Sequence, residues 1–312
     1  MNIFLRKTIF FLLPILLLGV FAEIKVRNVR SILGEKSHEI EQYRFEIETL
    51  ILGTSHEYEG ISPQYMNTSA YNLACGDQSL LYDKALLEQY QGKLNNLKFV
   101  IIGLDYPSLY WGYRDDRAFF YYHNYGINLR NKNFWKEDMS HLLYVYSPKN
   151  AFKLITEKTN KENVIAFKGW ETATTQQPQV LTDAAGLERV QFFRENYFTA
   201  SIKSREHFMV CKKLEEMIMF CKQKKITPIL VTTPCDETFT KHLEQRIVQK
   251  DAAFISKLIE KYQLIHLNYL TDKRFQKTDY IDIDHLNQFG AKKLSVSIDS
   301  VIQKLKNKKN SF

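Results

Sequence analysis

The sequence predicts an α/β protein built on a parallel sheet, and three observations carry that prediction. Continuous apolar runs recur along the chain, such as "KFVIIGLDY" (Lys98–Tyr106). A strand apolar at successive positions fits a sheet covered on both faces. Segments with helical spacing separate the runs, the alternation of a doubly wound sheet. With 312 residues, 45% hydrophobic and 25% charged, the chain has the make-up of a globular protein long enough for one large domain of this kind.

The elements follow in order. "TIFFLLPILLLGVFAEI" (Thr8–Ile24) comes after Arg6 and Lys7. Its uncharged part of about 15 residues is short for a full span and long enough for a signal core. Val20-Phe21-Ala22 is a poor cleavage site, because Val20 is larger than alanine. Residues 1–24 are therefore expected to remain as a signal anchor, with the rest of the chain exported; a buried core helix is the alternative. Lys25, Arg27 and Arg30 follow closely and reduce the charge asymmetry that orients such anchors. Residues 25–48, including the polar Ser31–Arg44, are expected to form a stalk or first helix. The α/β domain then covers residues 49–312. Its predicted strands are Thr49–Ser55, Ala70–Cys75, Lys98–Tyr106, Thr227–Pro234 and Leu264–Tyr269. Its predicted helices are Ser79–Tyr90, Arg205–Lys225, Lys241–Tyr262 and Asn287–Leu305. Between them, at about residues 107–204, lies an insertion that opens with "YPSLYWGYRDDRAFFYYHNYG". Its aromatics either pack it onto the sheet, as aromatics commonly do, or stack on sugar rings.

The net charge is +8, and much of the excess is terminal: Arg6, Lys7, Lys25, Arg27 and Arg30 at one end, Lys304, Lys306, Lys308 and Lys309 at the other. Basic ends beside an apolar segment suit a membrane surface. With neither a zinc-finger spacing nor an RNA-binding signature, a nucleic-acid partner is not expected. Cys75, Cys211, Cys221 and Cys235 form no CxxC pair and read as buried free thiols.

Two segments carry chemistry. The first strand runs into Gly53-Thr54-Ser55-His56. Ligands of such sheets bind beyond the carboxyl ends of the strands, so Ser55 is placed either as a nucleophile or in a plain turn. Near the C-terminus stands "DYIDIDHLNQFGAKKL" (Asp279–Leu294). An acyl-transfer serine needs a base, and the base needs a carboxylate to hold its tautomer. Asp282, three residues before His285, can fold back onto Nδ1. Acidic residues ahead of a helix also act as caps, which is the expectation for Asp284. A third reading makes Asp282, Asp284 and His285 metal ligands, but three neighbouring residues rarely converge on one ion. No metal or cofactor is expected.

The strand end at Gly53-Thr54-Ser55, the block "NLACGDQSL" and the late Asp282-x-x-His285 followed by Leu-Asn and Gly-Ala together resemble the SGNH/GDSL hydrolase superfamily. The resemblance runs over roughly residues 49–304. It is nearest to membrane-anchored members found with surface-polysaccharide and teichoic-acid modification systems. It implies a flavodoxin-like three-layer α/β/α sandwich, with Ser55 as nucleophile, His285 as base and Asp282 as its orienting acid. It also implies an oxyanion hole made by the backbone N–H groups of Ser55 and Gly76 and by an asparagine from a third block. Where that family carries Gly-x-Asn-Asp, this chain has Gly103-Leu104-Asp105-Tyr106. The missing donor is worth ~10²–10³ in turnover, and Gln78 or the Tyr106 hydroxyl are the candidate replacements. The expected function is an extracytoplasmic serine esterase or O-acyltransferase acting on an acylated cell-envelope glycan. The alternative is a non-catalytic scaffold of the same fold that binds glycan or partner proteins.

Overall fold

The computed structural model of the chain describes residues 3–27, 31–129, 167–171, 179–199 and 201–310. The chain divides into two compact units, one of residues 1–34 with 115–164, the other of residues 35–114 with 165–312.

The first unit holds helices α1 (Ile3–Arg27) and α5 (Asp115–Tyr125). Within α1, the 23 residues Ile3–Lys25 have a mean hydropathy of 2.1 and bury none of their length in the protein. At ~1.5 Å per residue they extend roughly 34 Å, enough to cross a hydrocarbon layer of ~30 Å. The helix outruns the uncharged stretch because residues on either side continue it. In α5, Tyr121 stacks on Tyr125 and Phe119 on His123.

The second unit is built on five strands: β1 (Thr49–Leu52), β2 (Ala70–Asn72), β3 (Phe99–Gly103), β4 (Thr227–Thr232) and β5 (Ile265–Asn268). Their order is β2-β1-β3-β4-β5, and every neighbouring pair is parallel. This is the flavodoxin-like order, in which the chain reverses its direction of travel across the sheet after β2. Ile51 lies opposite Asn72 on one side and Ile101 on the other, and Ile101 lies opposite Ile229.

Side chains alternate across a strand, so the sheet has two apolar faces. Ile51, Ile101, Ile229 and Val231 meet Leu294, Ile298 and Ile302 of the last helix, α10 (Gln288–Asn310). Leu50, Leu52, Val100, Ile102 and Leu230, all fully buried, take the other face. There α7 (Ser201–Gln223) packs on β4 and on α4 (Leu80–Gln91), and α8 (Glu237–Thr240) and α9 (Gln245–Tyr262) follow between β4 and β5. The product is a three-layer α/β/α sandwich.

Each expected apolar run forms a strand, though a shorter one. The run Ala70–Cys75 is a regular strand as far as Asn72. Beyond it Leu73 N and Cys75 N still donate to Ile51 O at 2.8 Å and Gly53 O at 3.2 Å, while the Asn72 side-chain Oδ1 accepts from Ala74 N at 2.9 Å. Residues Ile32–Tyr43 form helix α2. In the insertion the described residues include α5, α6 (Asp183–Phe193) and a π-helical turn, Arg194–Phe198; residues 130–166, 172–178 and 200 lie outside them. Tyr106 meets Phe193, Phe198 and Phe239 edge to face, and Tyr110 lies against Phe198 and His207. These aromatics pack against one another and the sheet unit. All four cysteines are buried thiols outside any disulfide.

Candidate active site

The strands β1, β3 and β4 end at one edge of the sheet, and each delivers polar residues there. Beyond β1, Gly53 has φ +149, a conformation that side chains rarely adopt. The chain then enters α3 (Ser55–Gly60) directly. Thr54 caps this helix: its hydroxyl accepts from His56 N at 3.2 Å, while Glu57 Oε2 accepts from Thr54 N at 2.9 Å. A reciprocal pair of this kind is a capping box. What looked like a strand stopping in a turn is the start of a helix, and Ser55 is its first residue. Its N–H lies among the first-turn donors that have no acceptor within the helix.

The residues facing Ser55 come from the loop before α10. Asp282 Oδ1 accepts from the backbone N of Asp284 at 3.0 Å and of His285 at 2.7 Å, folding the loop over its own carboxylate. Both Asp282 oxygens then lie 3.0 Å from His285 Nδ1. On the other side of the ring, Nε2 is 2.8 Å from Ser55 Oγ, across 230 residues of sequence. A proton on Nδ1 shared with the aspartate leaves the Nε2 lone pair facing the serine hydroxyl, the arrangement a general base needs.

Asp284 is not the helix cap that the sequence pattern suggests. Asn287 fills that role, accepting from Phe289 N at 2.9 Å and Gly290 N at 3.2 Å. Asp284 turns inward instead and is 2% exposed. One oxygen lies 3.3 Å from His285 Nδ1; the other takes Arg189 Nε at 2.8 Å and stands 3.7 Å from His56 Nε2. Burial pushes its carboxyl up, but the charges of His285, Arg189 and His56 outweigh burial and hold it well below the usual carboxylate range. For His285 burial works downward; the Asp284 charge and the hydrogen bonds the ring donates to both aspartates overcome it, so the imidazole stands well above its ordinary 6.5.

The third block is committed elsewhere. Asp105 accepts from the hydroxyls of Thr54 and Thr233, both at 2.9 Å, and lies 3.4 Å from His56 Nδ1. Burial raises its carboxyl, and His56 with the two hydroxyls brings it below the ordinary value. It is an occupied acceptor in a closed network. Glu57, fully buried beside it, is pushed well above the usual range by burial and by the Asp105 charge.

Of the residues expected at the oxyanion position, Gly76 sits in a turn closed by Gln78 N donating to Cys75 O at 3.0 Å. Cys75 N in turn donates to Gly53 O at 3.2 Å, which sets this turn beside the one that precedes Ser55. Gln78 is not a donor to the site: its amide gives its two hydrogens to Leu73 O at 3.1 Å and to Asp83 Oδ1 at 2.6 Å. The Tyr106 hydroxyl accepts from Glu244 N at 3.0 Å within the aromatic cluster.

Asp282, Asp284 and His285 present ligand atoms within 4.8 Å of one another. Those atoms already face each other, and the Arg189 guanidinium neutralises Asp284, so the set suits proton sharing better than an ion. Sequence reasoning missed His56, Thr233, Glu57 and Arg189. His56 had a signal in its position next to Ser55, and Thr233 in its place just past a buried strand. Arg189, 95 residues from its partner in the insertion, had none.

No protein-family model matches the chain, and no curated protein does. Among solved structures, a candidate acylhydrolase from Bacteroides fragilis is similar at 11% identity with a TM-score of 0.39; the alignment covers 84% of this chain and 86% of that one. A candidate lipolytic protein of the G-D-S-L family from Desulfitobacterium hafniense is similar at 10% identity with a TM-score of 0.37, over 81% of this chain and 99% of that one.

Proposed function

We propose that the protein is a membrane-anchored, extracytoplasmic serine esterase or O-acyltransferase of the SGNH type, acting on an acylated cell-envelope glycan. One observation carries the reading: Ser55 Oγ at 2.8 Å from His285 Nε2, with both Asp282 oxygens at 3.0 Å from Nδ1. Ser55 Oγ attacks the acyl carbonyl as its proton passes to His285 Nε2. The oxyanion forms between the backbone N–H groups of Ser55 and Gly76. The intermediate collapses, the ester C–O bond breaks, and His285 returns the proton to the departing alcohol, leaving the acyl group on Ser55. Water or a sugar hydroxyl then attacks the acyl carbon, giving its proton to His285; the bond to Ser55 Oγ breaks and His285 passes that proton to Oγ, restoring the serine hydroxyl. The apolar α1, with Arg6 and Lys7 in its first turns, supports an anchored chain whose second unit lies outside the membrane.

A second reading, a non-catalytic scaffold, is favoured by Asp105 in place of the third-block asparagine. A fluorophosphonate probe separates the two. The esterase reading expects the probe on Ser55 and on no other residue, with labelling lost in Ser55→Ala. An unlabelled Ser55, with Ser55→Ala keeping full biological activity, leaves the scaffold. The location is tested by carbonate extraction of membranes and by protease added outside intact cells. Solubility in carbonate, or a protected second unit, defeats that part.

A further inference from the structure

The loop that carries Gly76 is held from behind by a lysine. Lys36, on α2, is fully buried. Its ammonium donates to Asn72 O at 3.0 Å and to Ala74 O, and it lies 4.2 Å from the centre of the Tyr58 ring. Asn72 and Ala74 lead into Gly76. Tyr58 belongs to α3, the short helix that begins with Ser55. One amine thus reaches both the nucleophile's helix and the second block. The Asn72 side chain braces the same two elements from another side, donating to Glu57 O and Ile61 O, both at 2.8 Å.

Packing alone does not call for an amine here. A buried ammonium is costly to desolvate, and apolar side chains of similar volume often stabilise a core better than buried charge does. The cost shows in Lys36 itself: burial brings it down to about 7, although Cys75, Glu171 and Glu39 pull it back up. What a lysine supplies and a methionine does not is a fixed distance between two backbone segments.

We infer that Lys36 is a positioning residue for acyl transfer, setting the Gly76 turn against the Ser55 helix so that their N–H groups converge on one oxyanion. The inference rests on the esterase reading. A misplacement of ~1 Å at a reacting centre costs ~10² in rate, so the brace matters even though it touches no substrate.

The test uses the full-length protein in detergent. Fluorophosphonate titration counts active serines, p-nitrophenyl acetate hydrolysis gives kcat and KM, and thermal melting reports the fold. Lys36→Met keeps the length of the side chain and removes the amine. The expected result is a melting temperature unchanged or raised, KM within about twofold, and kcat per titrated serine reduced by ~10–10². A purely structural lysine would instead lower the number of titratable serines and leave kcat per serine unchanged. Tyr58→Leu keeps the amine and frees it from α3, and should lower kcat per serine in the same sense by a smaller factor. Wild-type kcat per serine in Lys36→Met overturns the inference. Should Lys36→Met not fold, wild-type kcat per serine in Tyr58→Leu overturns it. A wild-type protein that neither labels nor turns over ester defeats the esterase reading first, and the inference with it.

Discussion

The two ends of the candidate site use acidic residues in opposite ways. In the loop before α10, Asp284 is nearly as buried as a core leucine and yet ionised, because Arg189, His285 and His56 surround it. At the end of β1, Glu57 is equally buried, and no cation faces it among the described residues. Its Oε2 accepts from Thr54 N at 2.9 Å with the Thr54 hydroxyl at 3.5 Å, its Oε1 has no hydrogen-bond partner among the described residues, and burial with the Asp105 charge pushes its carboxyl well above the usual range. Burial is common to both, so the difference comes from the neighbours. Where positive partners converge, a buried carboxyl becomes part of the electrostatics that hold His285 well above its ordinary value. Where they do not, it becomes a neutral spacer.

The largest test of this contrast removes the reacting pair. Ser55→Ala should abolish turnover of an acyl ester, His285→Ala should do nearly the same, and the double variant little more. Groups that act as one unit lose ~10⁴-fold or more singly without adding. Independent, multiplying losses in steady-state kinetics would show that the two do not work together.

The two aspartates come next. Asp282→Asn removes the carboxylate with the better geometry and should cost ~10²–10³ in kcat, less than the ~10⁴ known for a lone orienting aspartate, because Asp284 remains at 3.3 Å. Asp284→Asn should cost less in rate but more in stability, about 1–3 kcal/mol by urea unfolding. That is below the ~3–5 of a fully enclosed pair, because Arg189 is partly open to solvent. The reverse ranking in rate would make Asp284 the orienting acid.

The same variant predicts a pH shift. His285 must be neutral to accept the serine proton, so activity rises with pH through its elevated pKa and the acid limb should lie above 6.5. The Asp284 charge is the foremost raising influence, so in Asp284→Asn the limb of the kcat/KM profile should move to lower pH. For stability the sign is opposite. A raised His285 contributes fully below 6.5, and the contribution is lost as pH rises through the folded value. An unmoved acid limb would uncouple Asp284 from the base.

The smallest effect belongs to Glu57. Glu57→Gln mimics the protonated carboxyl and should change stability by under ~1 kcal/mol near pH 4.5. A carboxyl whose folded pKa is raised binds more protons folded than unfolded, so the wild type loses stability as pH rises from 4.5 towards the folded value. Glutamine does not titrate, so the gap between the two melting temperatures should move in favour of Glu57→Gln as pH rises. A gap that stays constant with pH would mean that Glu57 is not held protonated.

Much of this architecture is legible from short-range pattern. The strands announce themselves because a parallel sheet covered on both faces leaves no polar position in a run such as Val100-Ile101-Ile102. Asp282 and His285 are legible as a pair because one turn of chain brings them together. Asp284 was misread because an acid ahead of a helix looks alike whether it caps the helix or turns inward, and only the tertiary position of Arg189 decides. Gln78 was misread for a similar reason: nothing local shows that Asp83 claims its amide. The role of Asp105 depends on Thr54, His56 and Thr233, which meet it only when the ends of three strands are assembled.

The buried carboxyl of Glu57 also occupies the space beside two glycines. A β-carbon at Gly53 or at Gly103 would collide with it, and Gly53 in addition holds φ +149. The ends of β1 and β3 are therefore locked to one residue of α3, and the three positions form a single heritable unit. Gly103→Ala alone should be poorly tolerated. Paired with Glu57→Ala, which empties the space, it should recover, and the two changes should be far from additive in a double-mutant cycle. Among natural variants of this chain, a side chain at position 103 is expected only where position 57 has become small, so that drift at this corner of the fold proceeds by paired steps.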